Sequence, residues 1–153
     1  MASEAGRALL AGAVTLVAAL AVLTWQTVRI PSRAPHRVVA ELRLAQAAAV
    51  LLAFSSAFLA GLGASAPGPV AAFDMACAVL AAGLALMTLV RDPRAALAWI
   101  GAAFLARVAL DLAHLLGWLP VVAADPVLAG SLGANVLAAL CCALPLRRRP
   151  VRG

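Results

Sequence analysis

Three residues of a single apolar stretch could do chemistry. In "RVALDLAHLLGWLP", residues 107 to 120, a guanidinium (Arg107), a carboxylate (Asp111) and an imidazole (His114) recur at intervals of four and three. At about 100° per residue of helix, Asp111 lies at about +40° and His114 at about −20° relative to Arg107, so all three share one narrow stripe. Such a set could form ion pairs, bind a cation, a proton or a polar head group, or serve as acid and base. The surrounding residues are nearly all apolar. An ionisable group at the centre of a lipid-exposed helix costs roughly 2.5–3.5 kcal/mol on insertion scales, so the stripe is expected to face a bundle interior or a wet cavity.

Other polar residues offer partners at matching depth. Asp74 stands four residues into its own apolar segment from the same end as His114, and Asn135 is placed near the depth of Asp111, with Ser131 above it. Ser55 and Ser56 fall mid-segment. Two readings of this cluster follow from the residues alone. In the structural one, Arg107 pairs with Asp111 and His114 meets Asp74, fixing helix register. In the functional one, Asp74, Arg107, Asp111 and His114 line an outward-facing pocket of a small transporter or permease component. A membrane enzyme acting on lipid or quinone head groups is a third, weaker reading, because no nucleophile or cofactor motif is present.

The elements that must position these residues are transmembrane helices. The chain has 153 residues, is 65% hydrophobic and has a mean hydropathy of +1.04. Soluble domains average roughly 45–50% apolar residues. Five apolar segments reach the length of about 20 residues that a bilayer requires: Ala8 to Val28, Leu44 to Ala64 with a juxtamembrane extension back to Pro35, Val70 to Val90, Ala95 to Leu119, and Val127 to Leu146. The fold expected is therefore all-α, a compact five-helix bundle forming a single membrane domain over residues 1–153, with a basic tail at 147–153. Short Pro- and Gly-containing joints predict antiparallel neighbours. The first segment is not read as a signal peptide, although Ala19-Leu20-Ala21 resembles a cleavage site. Its apolar run is too long and its flanking charge is reversed.

All twelve basic residues are Arg, and ten of them fall at alternate joints, all on one side. Arg29, Arg33, Arg37 and Arg43 follow the first segment, Arg91 and Arg94 follow the third, and Arg147, Arg148, Arg149 and Arg152 follow the fifth. The 64–69 and 120–126 joints hold none. The positive-inside rule then gives N-out and C-in, with the Arg-rich joints facing the cytoplasm and anionic lipid heads. Arg-only basic usage with abundant Ala points to a GC-rich bacterial genome and so to the bacterial cytoplasmic (inner) membrane. A net charge of +6 could suggest nucleic acid, but the Arg residues flank apolar runs and no basic stripe with interleaved aromatics exists. The partners expected are lipid and a homo-oligomer or a membrane protein.

Trp25, Trp99 and Trp118 are placed as interface anchors. Trp99 and Trp118, nineteen residues apart, would span about 28 Å of continuous helix, putting Arg107 near the midplane and His114 close to the outer interface. Arg37 and Glu41 are four apart and can pair on a helix face, read here as an interfacial turn snorkelling to the head groups. Small residues at four-residue spacing (Ala57 and Gly61, Ala78 and Ala82, Ala102 and Ala106, Gly130 and Ala134) are read as close-packing faces. No metal or cofactor is expected. His36 and His114 fall on opposite sides, and Cys77, Cys141 and Cys142 do not converge. The sequence supports a structural or accessory membrane subunit, non-enzymatic, with an internal polar cluster.

Overall fold

The computed structural model describes residues 4–65, 68–119 and 125–147. They form five α-helices: α1 (Glu4–Arg29), α2 (His36–Ser65), α3 (Pro69–Thr88), α4 (Pro93–Leu115) and α5 (Asp125–Leu146). Each contains a stretch long and apolar enough to cross a bilayer. Helices satisfy their own backbone polar groups, which lipid cannot do, and large apolar side chains such as Val79, Leu80, Leu86 and Met87 cover the outside. The chain is a multi-pass helical membrane protein.

Local signals set the helix ends. Pro69 and Pro93 occupy first-turn positions, where a missing N–H costs nothing. Asp92 caps α4, its Oδ2 accepting from the N–H groups of Arg94 and Ala95 at 3.1 and 3.2 Å. At the other end of α4 the chain turns through Gly117, whose φ of 73° is left-handed, and the Trp118 N–H returns to the Ala113 carbonyl at 2.9 Å. This closure ends α4 at Leu115, four residues before the expected boundary. Trp118 therefore lies outside the helix, and the 28 Å rise between the two tryptophans does not apply. Likewise α3 ends at Thr88 rather than Val90, and the extension before Leu44 is helical from His36 onward.

Cross-helix contacts fix the directions. Arg94, early in α4, reaches Pro145, late in α5, while Asp111, late in α4, meets Ser131 and Asn135, earlier in α5. These two helices are antiparallel. Arg94 approaches Glu41 and Arg107 approaches Ser56, so α4 runs parallel to α2. His114 meets Asp74, so α3 opposes α4. One end of the bundle thus collects the C-terminal ends of α1, α3 and α5 and the starts of α2 and α4, with every described Arg except Arg107 and, at the start of α1, Arg7. Helix α2 packs against all four others, α4 against α2, α3 and α5, and α1 against α2 and α5.

The buried positions of α4 explain how the site is aimed. Leu97, Ile100, Phe104, Arg107, Asp111 and His114 follow one another at spacings of 3, 4, 3, 4 and 3, a heptad seam. The seam is apolar as far as Phe104 and polar from Arg107 on. Helix α2 shows the reverse order, with Arg37 and Glu41 first, then Leu44, Ala48 and Leu52, then Ser56. Where the apolar halves meet, Leu44, Leu52, Leu97, Ile100 and Phe104 form the core together with Leu20 of α1 and Ala138 and Cys142 of α5. Helices α4 and α5 approach closely at Gly101, where an added Cβ would stand 3.2 Å from that of Cys142. Most of the expected small-residue faces point elsewhere. Ala57, Gly61, Ala102, Ala106 and Gly130 are exposed, and Ala78 alone of the eight is buried. Other small residues that do pack include Ala45, Ala48 and Ala49 on α2, Ala71 and Ala85 on α3, Ala96 on α4, and Ala138 and Ala139 on α5.

Pro145 lies inside the last turn of α5. Its missing N–H leaves the Cys141 carbonyl without a helical donor. The hydroxyl of Thr24, buried on α1, donates to that carbonyl at 3.4 Å as well as to its own Leu20 carbonyl at 2.9 Å. A proline in one helix is thereby matched to a threonine in another.

Candidate polar site within the bundle

The stripe of α4 is buried as a unit. Arg107, Asp111 and His114 are each no more than 6% exposed, and Asn135 is equally enclosed. Around it the structure gathers the other polar residues singled out in the sequence. Asp111 Oδ2 accepts from the Ser131 hydroxyl at 2.8 Å and from the Asn135 amide at 2.9 Å, and the same amide lies 3.2 Å from the Ser131 oxygen. His114 Nε2 lies 3.2 Å from Asp74 Oδ1, joining α4 to α3. The two carboxylates are thus held from different helices, one from α5 and one from α4.

Arg107 departs from expectation. Four residues from Asp111 on the same stripe, it makes no ion pair with it, because the Asp111 oxygen is drawn toward α5 by two donors. The guanidinium turns instead toward α2, where Nη1 donates to the Ser56 hydroxyl oxygen at 3.4 Å. Ser56 commits its own proton to the Leu52 carbonyl at 2.7 Å, which leaves lone pairs facing Arg107. The contact is long, and Arg107 Nε is buried with no hydrogen-bond partner among the described residues. Leaving a charged group short of hydrogen bonds in a low-dielectric interior is costly.

A second buried ionic cluster occupies the Arg-rich end, and sequence reasoning placed it wrongly. Arg37 and Glu41 do not snorkel to the interface. Both are 4% exposed, enclosed between helices. Arg37 Nε donates to Glu41 Oε1 at 2.9 Å, and its Nη1 donates to the Ile30 carbonyl at 2.6 Å, just past the C-terminus of α1, where a cation is favoured. Arg94 Nε stands 3.9 Å from Glu41 Oε2, and its Nη2 donates to the Pro145 carbonyl at 3.1 Å. One carboxylate therefore links α1, α2, α4 and α5. The signal was present in the sequence: continuing the buried phase of α2 back from Leu44 reaches Glu41 and then Arg37.

The remaining topology residues behave as surface groups where described. Arg29, Arg33, Arg43, Arg91 and Arg147 are exposed at the Arg-rich end. Arg148 and Arg149 lie outside the described residues. Trp25 is exposed beneath Arg29, whose Cζ sits 4.2 Å from the ring centroid, a cation–π contact at the end of α1. Trp99 and Trp118 are exposed as well. Among the described residues, no three His, Cys, Asp or Glu side chains come together as a metal site.

No family model, curated protein or solved structure matches this chain. Its own geometry defines it as a small multi-pass helical membrane protein with a buried polar and salt-bridge network.

Proposed function

We propose that this chain is a non-enzymatic, accessory subunit of the bacterial cytoplasmic membrane, whose polar residues hold five helices in one register so that it can serve as a scaffold for a membrane partner or a second copy of itself. The observation carrying this reading is that three carboxylates inside the described bundle are each engaged across helices: Glu41 by Arg94 as well as by its own-helix Arg37, Asp74 by His114, Asp111 by Ser131 and Asn135. A transport pocket or an acid–base pair needs a carboxylate with capacity for substrate. Here that capacity is used between helices, the use of buried polar groups best attested as fixing register.

The gathering of Arg residues at one end supports an N-out, C-in orientation with that end against anionic lipid heads. Cysteines introduced at Arg33 and Arg91 are then labelled by a membrane-impermeant maleimide only from the cytoplasmic side. Register-holding is tested with Asp74→Asn and His114→Gln. Both lower the unfolding midpoint of the purified protein while leaving proteoliposome permeability unchanged. Unaltered stability with altered proton or solute flux would replace this reading with the transporter.

A further inference from the structure

One group in the polar network is not absorbed by register-holding. Arg107 is 5% exposed, about two thirds of the way along α4, and bears a full charge with a single long hydrogen bond among the described residues. A guanidinium presents its donors in two forks. One atom, Nη1, is taken by Ser56 of α2. The opposite fork, Nε and Nη2, has no hydrogen-bond partner among the described residues. Such an edge is planar, with two parallel N–H bonds, and its complement is a planar oxyanion bound through two oxygens.

We propose that the Nε–Nη2 edge of Arg107, oriented from behind by Ser56, is a binding site for a small planar monovalent oxyanion, of the carboxylate, nitrate or bicarbonate class. Charge sets the valence: with the Asp111 carboxylate four residues along the same stripe, the guanidinium can take on no more than one further negative charge. Depth sets the size: Arg107 stands eight residues, about 12 Å, inside the C-terminal end of α4 and further from its start, deeper than a phospholipid phosphate reaches. The nearest carboxylate on the stripe does not fill the fork, since Asp111 is held toward α5 by Ser131 and Asn135. Ser56 acts as a positioning residue. Its hydroxyl proton is fixed on Leu52, so its oxygen can only accept, and this turns the free edge of Arg107 away from α2.

The test uses the purified full chain in lipid nanodiscs, titrated with sodium formate and sodium nitrate at constant ionic strength, with sodium chloride as the balancing salt. The thermal unfolding midpoint is read together with line broadening of 13C-formate. The expected result is a saturable rise in midpoint with formate and nitrate, and formate broadening that nitrate reverses. Arg107→Lys keeps the charge but loses the fork, and weakens apparent affinity at least about tenfold. Ser56→Ala weakens it by about threefold, the size of one modest hydrogen bond. A linear, unsaturable response, or no difference between the planar anions and the chloride background, overturns the proposal. So does an Arg107→Lys protein that responds like the wild type. If Arg107→Lys does not fold, the wild-type titration and Ser56→Ala decide the matter by the same criteria.

Discussion

The bundle holds two buried ionic clusters, one at each side of its apolar core, and they are built differently. At the Arg-rich end, two guanidinium groups converge on the one carboxylate of Glu41, and their remaining donors reach carbonyls past the ends of α1 and within the last turn of α5. In the other half, the carboxylate of Asp111 is well supplied with donors, whereas the cation four residues away is not. The first arrangement closes on itself and ties four helices. The second leaves one charge under-bonded. In an interior where an under-bonded charge is expensive, the closed cluster marks architecture and the open one leaves hydrogen-bonding capacity unused.

The sharpest way to break this comparison is to remove Glu41. Glu41→Leu strands Arg37 between helices and is expected to destabilise the protein by about 3–5 kcal/mol, as for any buried pair that loses one partner, measured by denaturant unfolding in micelles. Asp111→Leu comes next. It removes the acceptor shared by Ser131 and Asn135 and is expected to cost about 1–3 kcal/mol by the same assay. Gly101→Val tests the apolar divide between the clusters: the new side chain meets Cys142 and costs about 1–3 kcal/mol through overpacking. Thr24→Val leaves the Cys141 carbonyl short of a donor and is expected to cost about 1 kcal/mol. The smallest effect belongs to Arg107→Met. With so little bonding to lose, it should change stability by less than about 1 kcal/mol in either direction. A loss as large as that of Glu41→Leu would erase the distinction between the clusters.

Most of the architecture was legible in the chain, because lipid imposes simple rules. A run of about 20 apolar residues with Pro and Gly at its ends reads as a spanning helix, and five such runs correspond to the five helices observed. The stripe of Arg107, Asp111 and His114 was legible from helical phase alone, and so was the proximity of Asp74 and Asn135 from depth. Which partner each group chooses was not legible. Phase puts Arg107 beside Asp111, but their separation depends on two donors from α5 and a serine from α2, which only the packed bundle brings near. The small-residue spacing failed for a related reason: with Ala so frequent, the spacing recurs on lipid-facing sides, and packing against neighbours selects which Ala is used. The Trp ruler failed at Gly117, where a left-handed turn that periodicity does not register stops the helix.

The hydrogen bonds from α5 to Asp111 also bear on how the chain is made. Synthesis delivers α4 before α5, so at the moment α4 is complete Asp111 has neither Ser131 nor Asn135, and Arg107 has only Ser56. An Asp or Arg at a helix centre carries roughly 2.5–3.5 kcal/mol against entering lipid alone. The gap from Leu115 to Asp125 is short enough for the two helices to fold back on each other as a hairpin. Helix α4 thus has reason to wait at the insertion machinery and leave it sideways together with α5. A chain stopped at Leu119 is expected to show α4 retained in water or looped out, detectable by glycosylation mapping. Helix α5, translated after α4, thus decides whether α4 can stay in the membrane.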